Sequence, residues 1–319
     1  MSTLRWSVIV PVRNKAAVLS AALGSIVEAL AGRSDAELIL VDHGSTDGSS
    51  ELLRTIAPTA RIVPLDIGTA ALARNRGAAV ATGAFLCFID ADVRVPAEYF
   101  DRLAAVLDQT GADAAGCTVT VPQREGWIAR TWDLLHAPRS DGWRGWLAAA
   151  NFAVSREAFE RVGGFAERLV TGEDAELCAR LTAAGVRIFE ALWLQAEHLD
   201  NPASLAAFFR KEHWRGLGML GTVRRERLDR PTAMTILHAL LLGSAIGVAV
   251  QASPGRAAVI APALAFAAPA LTVAYRRMNN GISAPILRSL LLYQLYYLAR
   301  LAALARLTLR GVGRRHPVP

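Results

Sequence analysis

The sequence predicts an α/β protein built on a mostly parallel sheet, followed by a C-terminal helical membrane region. Three observations carry this. Short β-branched runs alternate with segments of helical periodicity through the first 111 residues. Two of those runs, ending at Asp42 and Asp90, finish on a carboxylate. Beyond Arg230 lie two long stretches without a charged residue.

The elements follow in order. "WSVIVPV" (6–12) is a β-branched run closed by Pro11, and "KAAVLSAALGSIVEAL" (15–30) spaces its apolar residues for a helix. "AELILVDHGSTDGSSELL" (36–53) repeats the unit as strand, polar loop and helix start. "ARIVPLD" (60–66) is a third strand, "TAALARNRGAAVAT" (69–82) a helix ended by Gly83, and "AFLCFID" (84–90) the next strand. "PAEYFDRLAAVLDQTG" (96–111) is a helix with Pro96 near its first turn and Gly111 as its stop. Alternation of this kind implies a parallel sheet, and in such sheets ligands bind beyond the carboxyl ends of the strands. The stretch from 113 to 170 is less regular and holds Trp127, Trp132, Trp143 and Trp146. Helices are expected at 156–165, 173–185 and 204–220. Cys87, Cys117 and Cys178 share no close spacing, so buried free thiols are expected.

Charge is unevenly placed. The chain has 319 residues, 53% hydrophobic and 20% charged, with a formal charge of +7. Its mean hydropathy is +0.29. From 231 to 319 there are nine Arg and no Asp or Glu, while the first 230 residues carry 26 basic and all 28 acidic groups. A near-neutral domain with a basic, apolar tail argues against a nucleic-acid partner and for anionic membrane lipid. The gaps between Arg230 and Arg256 and between Arg256 and Arg276 are 25 and 19 residues long, enough for a transmembrane hairpin at about 232–252 and 257–275. Arg224, Arg225, Arg227 and Arg230 before it, and Arg276 and Arg277 after it, place both flanks in the cytosol. The segment 285–310 carries Arg288, Arg300 and Arg306, and a charge at the bilayer centre costs at least ~2.5 kcal/mol. An interfacial helix is therefore expected there, with a third crossing as the alternative. The boundary is expected within 224–231, giving a catalytic domain over 1–229 and a membrane region over 230–319. The N-terminus has no run of signal length, so the first domain is expected in the cytosol.

Asp90-Ala91-Asp92 puts two carboxylates at the exit of a core strand, above the ligand crevice. Hard oxygen ligands suit Mg²⁺ or Mn²⁺, which bridge carboxylates to a diphosphate; a polar loop with a helix cap reads the same way. Asp42 can accept from a base or ribose, or can serve local capping with Ser45, Thr46 and Asp47. Arg74 and Arg76 in "ARNRG" can meet phosphates or solvent. Glu173 and Asp174 in "VTGEDAEL" stand at a helix start, where the dipole favours acids, and adjacent acids there also suit a general base. His198 in "QAEHLDN" is either a metal ligand or structural.

In order and spacing, "VIVPVRN", "LILVDHGSTDGS", "ARNRGAAVATGAFLCFIDADV" and "ANFAVSREAFERVGGFAERLVTGEDAELCARL" resemble the family 2 glycosyltransferases, over about residues 6 to 200. Within that family the chain looks most like the bacterial enzymes of exopolysaccharide and cell-surface glycolipid assembly that carry a short membrane tail. The resemblance implies a GT-A fold, Rossmann-like with a mostly parallel sheet. It implies that Pro11, Val12, Arg13, Asn14, Asp42, Ser45, Arg74, Asp90 and Ala91 hold a nucleotide-sugar donor. Asp92, with Asp90 and His198, would hold Mg²⁺ or Mn²⁺, and Asp174, with Glu173 beside it, would be the base in an inverting displacement. Trp143, Trp146, Asn151 and Trp214 would shape the acceptor site. Two departures stand out. The family often has a second Asp where His43 stands. The Q-x-x-R-W signature of processive members is replaced by "RKEHW" (210–214), which favours transfer of a single sugar.

The expectation is a membrane-anchored enzyme at the cytosolic face of the bacterial inner membrane, acting on a lipid-linked or glycolipid acceptor, with synthase-complex partners as a possible setting. The alternatives are a polyprenyl-phosphate glycosyltransferase, against which the "GED" acid counts because a phosphate acceptor needs no strong base, and an inactive nucleotide-binding scaffold.

Overall fold

The structure is a computed structural model that describes residues 4–66, 68–138, 140–218, 230–280 and 284–309. By compactness the chain divides into two units. The first comprises the described residues of 4–122 and 138–201, and the second those of 123–137 and 202–309.

The first unit is a sheet covered on both faces. Its strands are β1 (Trp6–Val12), β2 (Ala36–His43), β3 (Arg61–Leu65), β4 (Phe85–Ile89), β6 (Ala114–Gly116), β7 (Gly142–Arg144), β8 (Asn151–Ser155) and β9 (Ile188–Glu190). They lie in the order β3-β2-β1-β4-β8-β6-β9-β7. β3, β2, β1 and β4 pair in parallel, and β8 runs antiparallel to β4 and β6. A separate two-stranded ribbon pairs β5 (Val93–Arg94) with β10 (Glu197–His198). Alternate side chains go to opposite faces, as the pleat demands. Trp6, Val8, Val10 and Val12 of β1 join one core, which takes in Leu19, Leu23 and Ile26 of α1 (Ala16–Ala29) and Phe100, Leu103 and Val106 of α4 (Tyr99–Thr110). Ile9 joins the other core, with α3 (Ala70–Val80), Phe159 of α6 (Arg156–Arg161) and Leu177 and Leu181 of α7 (Glu173–Ala183). The helix α2 (Ser49–Ile56) follows the β2 loop. The three cysteines are buried and unpaired by disulfide.

α3 lies close on the sheet at Gly77. A Cβ built there would stand 2.4 Å from Ile9 Cγ2 and 3.2 Å from Val41 Cγ2. Alanine is the better helix former by about 1 kcal/mol, yet the branched Ile9 has no room to yield and overpacking costs roughly 1–3 kcal/mol. Gly77→Ala is therefore expected to lower the thermal unfolding midpoint; an unchanged or raised midpoint would refute this packing.

The second unit is helical: α5 (Trp127–His136), α8 (Leu205–Gly216), α9 (Arg230–Gln251), α10 (Pro254–Asn280) and α11 (Ile286–Leu309). Its core gathers Ile128, Leu135, Phe208, Leu292, Tyr293, Tyr296 and Tyr297, with Trp132 edge-on to Phe208 at 4.9 Å. Gly216 lets α8 approach α11, where a Cβ would meet Ala303 Cβ at 2.9 Å. Among the described residues two helices are long and apolar enough to cross a membrane, Arg230–Gln251 and Pro254–Met278. Most of their apolar side chains, Leu240, Val250 and Val259 among them, are exposed. α11 is not one of the two: its tyrosine face packs on α5 and α8. The sequence reading left 113–170 irregular, and the structure places β6, α5, β7 and β8 there, three of them strands of five residues or fewer.

Candidate active site

The parallel strands end together, and their exits are the candidate site. Two loops are stitched into one ledge. After β1, Asn14 adopts a left-handed backbone with φ 49°. Its N–H donates to Ser45 Oγ at 3.2 Å, and its Oδ1 accepts from Thr46 N–H at 2.8 Å. The N–H groups of Lys15 and Ala16 donate to Ser49 Oγ and Asp47 Oδ2, each at 2.9 Å. Asp42 Oδ1 accepts from Ser45 N–H at 3.1 Å, and its other oxygen accepts from the Ser50 hydroxyl. Pro11 and Val12 are buried, so they offer the site backbone rather than side chain. His43, where an acid was the family expectation, is buried with Nδ1 3.3 Å from Gly68 O. Burial, with the charges of Arg13 and Arg74, pushes its pKa down, so it is neutral at pH 7.

At the exit of β4, Asp90 and Asp92 diverge while Ala91 points into the core. The Arg74 guanidinium, almost fully buried, donates Nη2 to Asp90 Oδ1 and Nη1 to Glu173 Oε1, both at 2.7 Å. The sequence reading offered phosphates or solvent as its partners; here both ends of its fork are engaged by carboxylates. The pairing locks the β4 exit to the start of α7, and it uses Glu173 as a counter-charge. Asp174, next along, accepts from the N–H of Ala175 at 2.7 Å. Burial, followed by the Glu173 charge, raises its pKa from 3.8 to about 6. A carboxylate poised there can take a proton near neutral pH.

Asp92 is nearly buried. The ribbon β5–β10 brings two further groups to it, registering His198 opposite Val93, with Leu199 N–H donating to Asp92 O at 2.8 Å. His198 Nε2 lies 3.7 Å from Asp92 Oδ2. Lys15 Nζ donates to Asp92 Oδ2 and to Asp200 Oδ2, each at 2.6 Å. Burial would depress the lysine pKa, but Asp92 and Asp200 overcome it and hold it above its ordinary value. Lys15 and Asp200 were not singled out in the sequence; Asp200 stands in the same "EHLDN" as His198. Among the described residues no group of three His, Cys, Asp or Glu side chains is closed around a common point. By chemistry the donor types suit a divalent cation: a carboxylate with an imidazole 3.7 Å from it, and a second carboxylate that shares the Lys15 ammonium with the first. Asp92 and His198 would hold it, with Asp200 beside them; Asp90, expected to share in this, is paired with Arg74.

The residues expected to shape an acceptor site lie on several elements. Asn151 is fully buried, and its Oδ1 accepts from Tyr99 Oη at 2.6 Å, which makes it part of the sheet's interior. Trp143 and Trp146 are exposed. Trp143 lies on the edge strand β7, edge-on to Phe189. Trp146 follows Gly145, whose carbonyl accepts from Thr182 at 3.3 Å. Trp214 belongs to α8 of the second unit. Concavities of about 430 and 610 Å³ elsewhere on the first unit contain none of these acids.

Comparison with known proteins follows the same lines. The family model described as "Glycosyl transferase family 2" matches residues 7–166, half of the chain. Glycosyltransferase AglE of Haloferax volcanii is 29% identical over 252 residues, 76% of this chain and 82% of that protein. Succinoglycan biosynthesis protein ExoA of Rhizobium meliloti is 31% identical over 199 residues, 57% of this chain and 59% of that protein. The solved structure of mannosyltransferase PcManGT from Pyrobaculum calidifontis, in complex with GDP-Man and Mn²⁺, aligns with a TM-score of 0.61 at 21% identity, covering 95% of this chain and 87% of that one. That likeness is one of fold, and the fold is GT-A.

Proposed function

From the premise that this chain belongs to glycosyltransferase family 2, we propose that it is a membrane-anchored, inverting, metal-dependent enzyme. It moves one sugar from a nucleotide-diphospho-sugar to a hydroxyl of a lipid-linked or glycolipid acceptor, at the cytosolic face of the bacterial inner membrane. The observation that carries the reading is the joining, through Arg74, of the Asp90–Asp92 strand exit to the Glu173–Asp174 helix start. One arm is suited to a diphosphate and the other to a proton. The two long apolar helices with their Arg flanks support the anchor, and a relative named for succinoglycan biosynthesis fits a surface polysaccharide or glycolipid product.

The chemistry is a single displacement. Asp174 accepts the proton of the acceptor hydroxyl as its oxygen bonds to the anomeric carbon. The bond from that carbon to the diphosphate oxygen breaks, and the nucleoside diphosphate leaves with the electron pair. Attack opposite the leaving group inverts the centre. Asp92 and His198 would hold a divalent ion, which would supply positive charge against the departing diphosphate. The ledge of Asn14, Asp42 and Ser45 orients the nucleoside, its loops fixed by their own hydrogen bonds before the donor arrives. Arg74 keeps Glu173 paired, so that Asp174 is the carboxylate left to act as base.

The test is binding of a nucleotide-sugar panel to the detergent-solubilised protein with and without Mn²⁺. One donor is expected to bind in a metal-dependent manner, and Asp92→Ala is expected to weaken that binding at least tenfold. Binding that is indifferent to both the metal and Asp92, or absent for every donor in folded protein, would overturn the reading.

A further inference from the structure

We propose that Lys15 is the resident counter-cation of the divalent-ion seat, and that Asp200 belongs to that seat with it. The proposal rests on the functional reading above and extends it to how the site loads. The Lys15 ammonium is shared between Asp92 Oδ2 and Asp200 Oδ2 at 2.6 Å each, with His198 Nε2 3.7 Å from the same Asp92 oxygen. That is the place a divalent ion would take. An ammonium and a divalent ion on the same Asp92 oxygen repel strongly at contact distance where solvent is partly excluded. Loading the ion therefore requires the ammonium to leave Asp92.

Lys15 is placed to make that move. It is the residue before α1, its backbone fixed by the Ser49 hydroxyl while four rotatable bonds separate that anchor from the charge. A diphosphate arriving on the ledge offers the displaced ammonium new anionic partners. Ion and nucleotide then favour one another through Lys15: alone, the ion must evict a lysine with nowhere to go; together, the nucleotide receives it. Asp200 acts at the same point from 185 residues further along the chain, brought there by the β5–β10 ribbon. Lys15 is in this account a positioning residue, acting through the carboxylates it holds.

The experiment is Mn²⁺ titration of the full-length, detergent-solubilised protein, followed by electron paramagnetic resonance, without nucleotide and with saturating GDP or UDP. Thermal unfolding checks that each variant is folded. Wild type is expected to bind Mn²⁺ weakly alone and at least tenfold more tightly with the nucleotide. Lys15→Met, which keeps the apolar stem and removes the charge, is expected to bind Mn²⁺ alone at least tenfold more tightly than wild type, with most of the nucleotide effect lost. Lys15→Gln serves as the second neutral variant, and Asp200→Asn is expected to weaken Mn²⁺ binding in the Lys15→Met background. If both neutral variants bind Mn²⁺ as wild type does, or keep the full nucleotide effect, the proposal is overturned and the metal reading stands. If no variant binds Mn²⁺ under either condition, both are overturned.

Discussion

Replacing Asp174 by Asn is expected to lower turnover by about 10²- to 10⁴-fold, the usual contribution of a positioned general base, while donor binding changes by less than about twofold. The amide keeps the size of the side chain and its acceptor toward Ala175 N–H but cannot take a proton from the acceptor hydroxyl. The wild-type pH profile should carry the same signature. Asp174 titrates near 6, raised by burial and by Glu173, and only its ionised form acts as base. Hence kcat/KM should be level above that pH and fall about tenfold per unit below it; the acid limb should vanish in the residual activity of Asp174→Asn. Stability should move the other way. A carboxyl with a folded pKa above its unfolded 3.8 stabilises the fold most when protonated, and that contribution is lost as pH rises between the two values. Asp174→Asn removes the ionisation penalty, so its unfolding midpoint at pH 7.5 should equal or exceed that of wild type. A variant that is inactive because it is misfolded would show a lowered midpoint instead, and undiminished turnover would remove Asp174 from the chemistry.

Arg74→Met is expected to have the largest effect on folding. It leaves Glu173, and partly Asp90, as buried carboxylates without their cation, and breaking a buried pair from one side costs roughly 3–5 kcal/mol. Solvent at the more exposed Asp90 places the expectation at the lower end. Equilibrium denaturation followed by tryptophan fluorescence would read the loss, and adding Glu173→Gln should restore part of it by removing one stranded charge. Arg74→Lys should not rescue, because a single ammonium lacks the planar fork that reaches two carboxylates at 2.7 Å each. A denaturation midpoint equal to wild type would mean that the two acids are held by other means. Activity of Arg74→Met, in whatever fraction folds, should also fall, since the link between the β4 exit and the α7 start is gone.

The balance between what was legible and what was not follows from range. The βα units of the first 111 residues were readable because hydrophobic period, Gly and Pro act over a few residues. The same holds for the site acids, since Asp90, Asp92, Asp174 and His198 each lie in a short motif whose position at a strand exit or helix start follows from its neighbours. The two apolar helices were readable from the absence of charge alone. β6, β7 and β9 were not, because a three-residue strand has no period to detect. α5 and α8 read as parts of the catalytic domain, yet the structure groups them with the C-terminal helices, through an aromatic core drawn from segments more than 150 residues apart in sequence.

By itself, then, the sequence determined the fold class and which carboxylates stand at the strand exits. The tertiary structure alone decided their partners: that Arg74 joins two carboxylates, that Asn151 is inside the sheet, and that Lys15 and Asp200 meet at Asp92 across 185 residues of chain. The physical reason is that a charge's role depends on which opposite charge comes within about 3 Å of it in a place water reaches poorly, and chain distance carries no record of that.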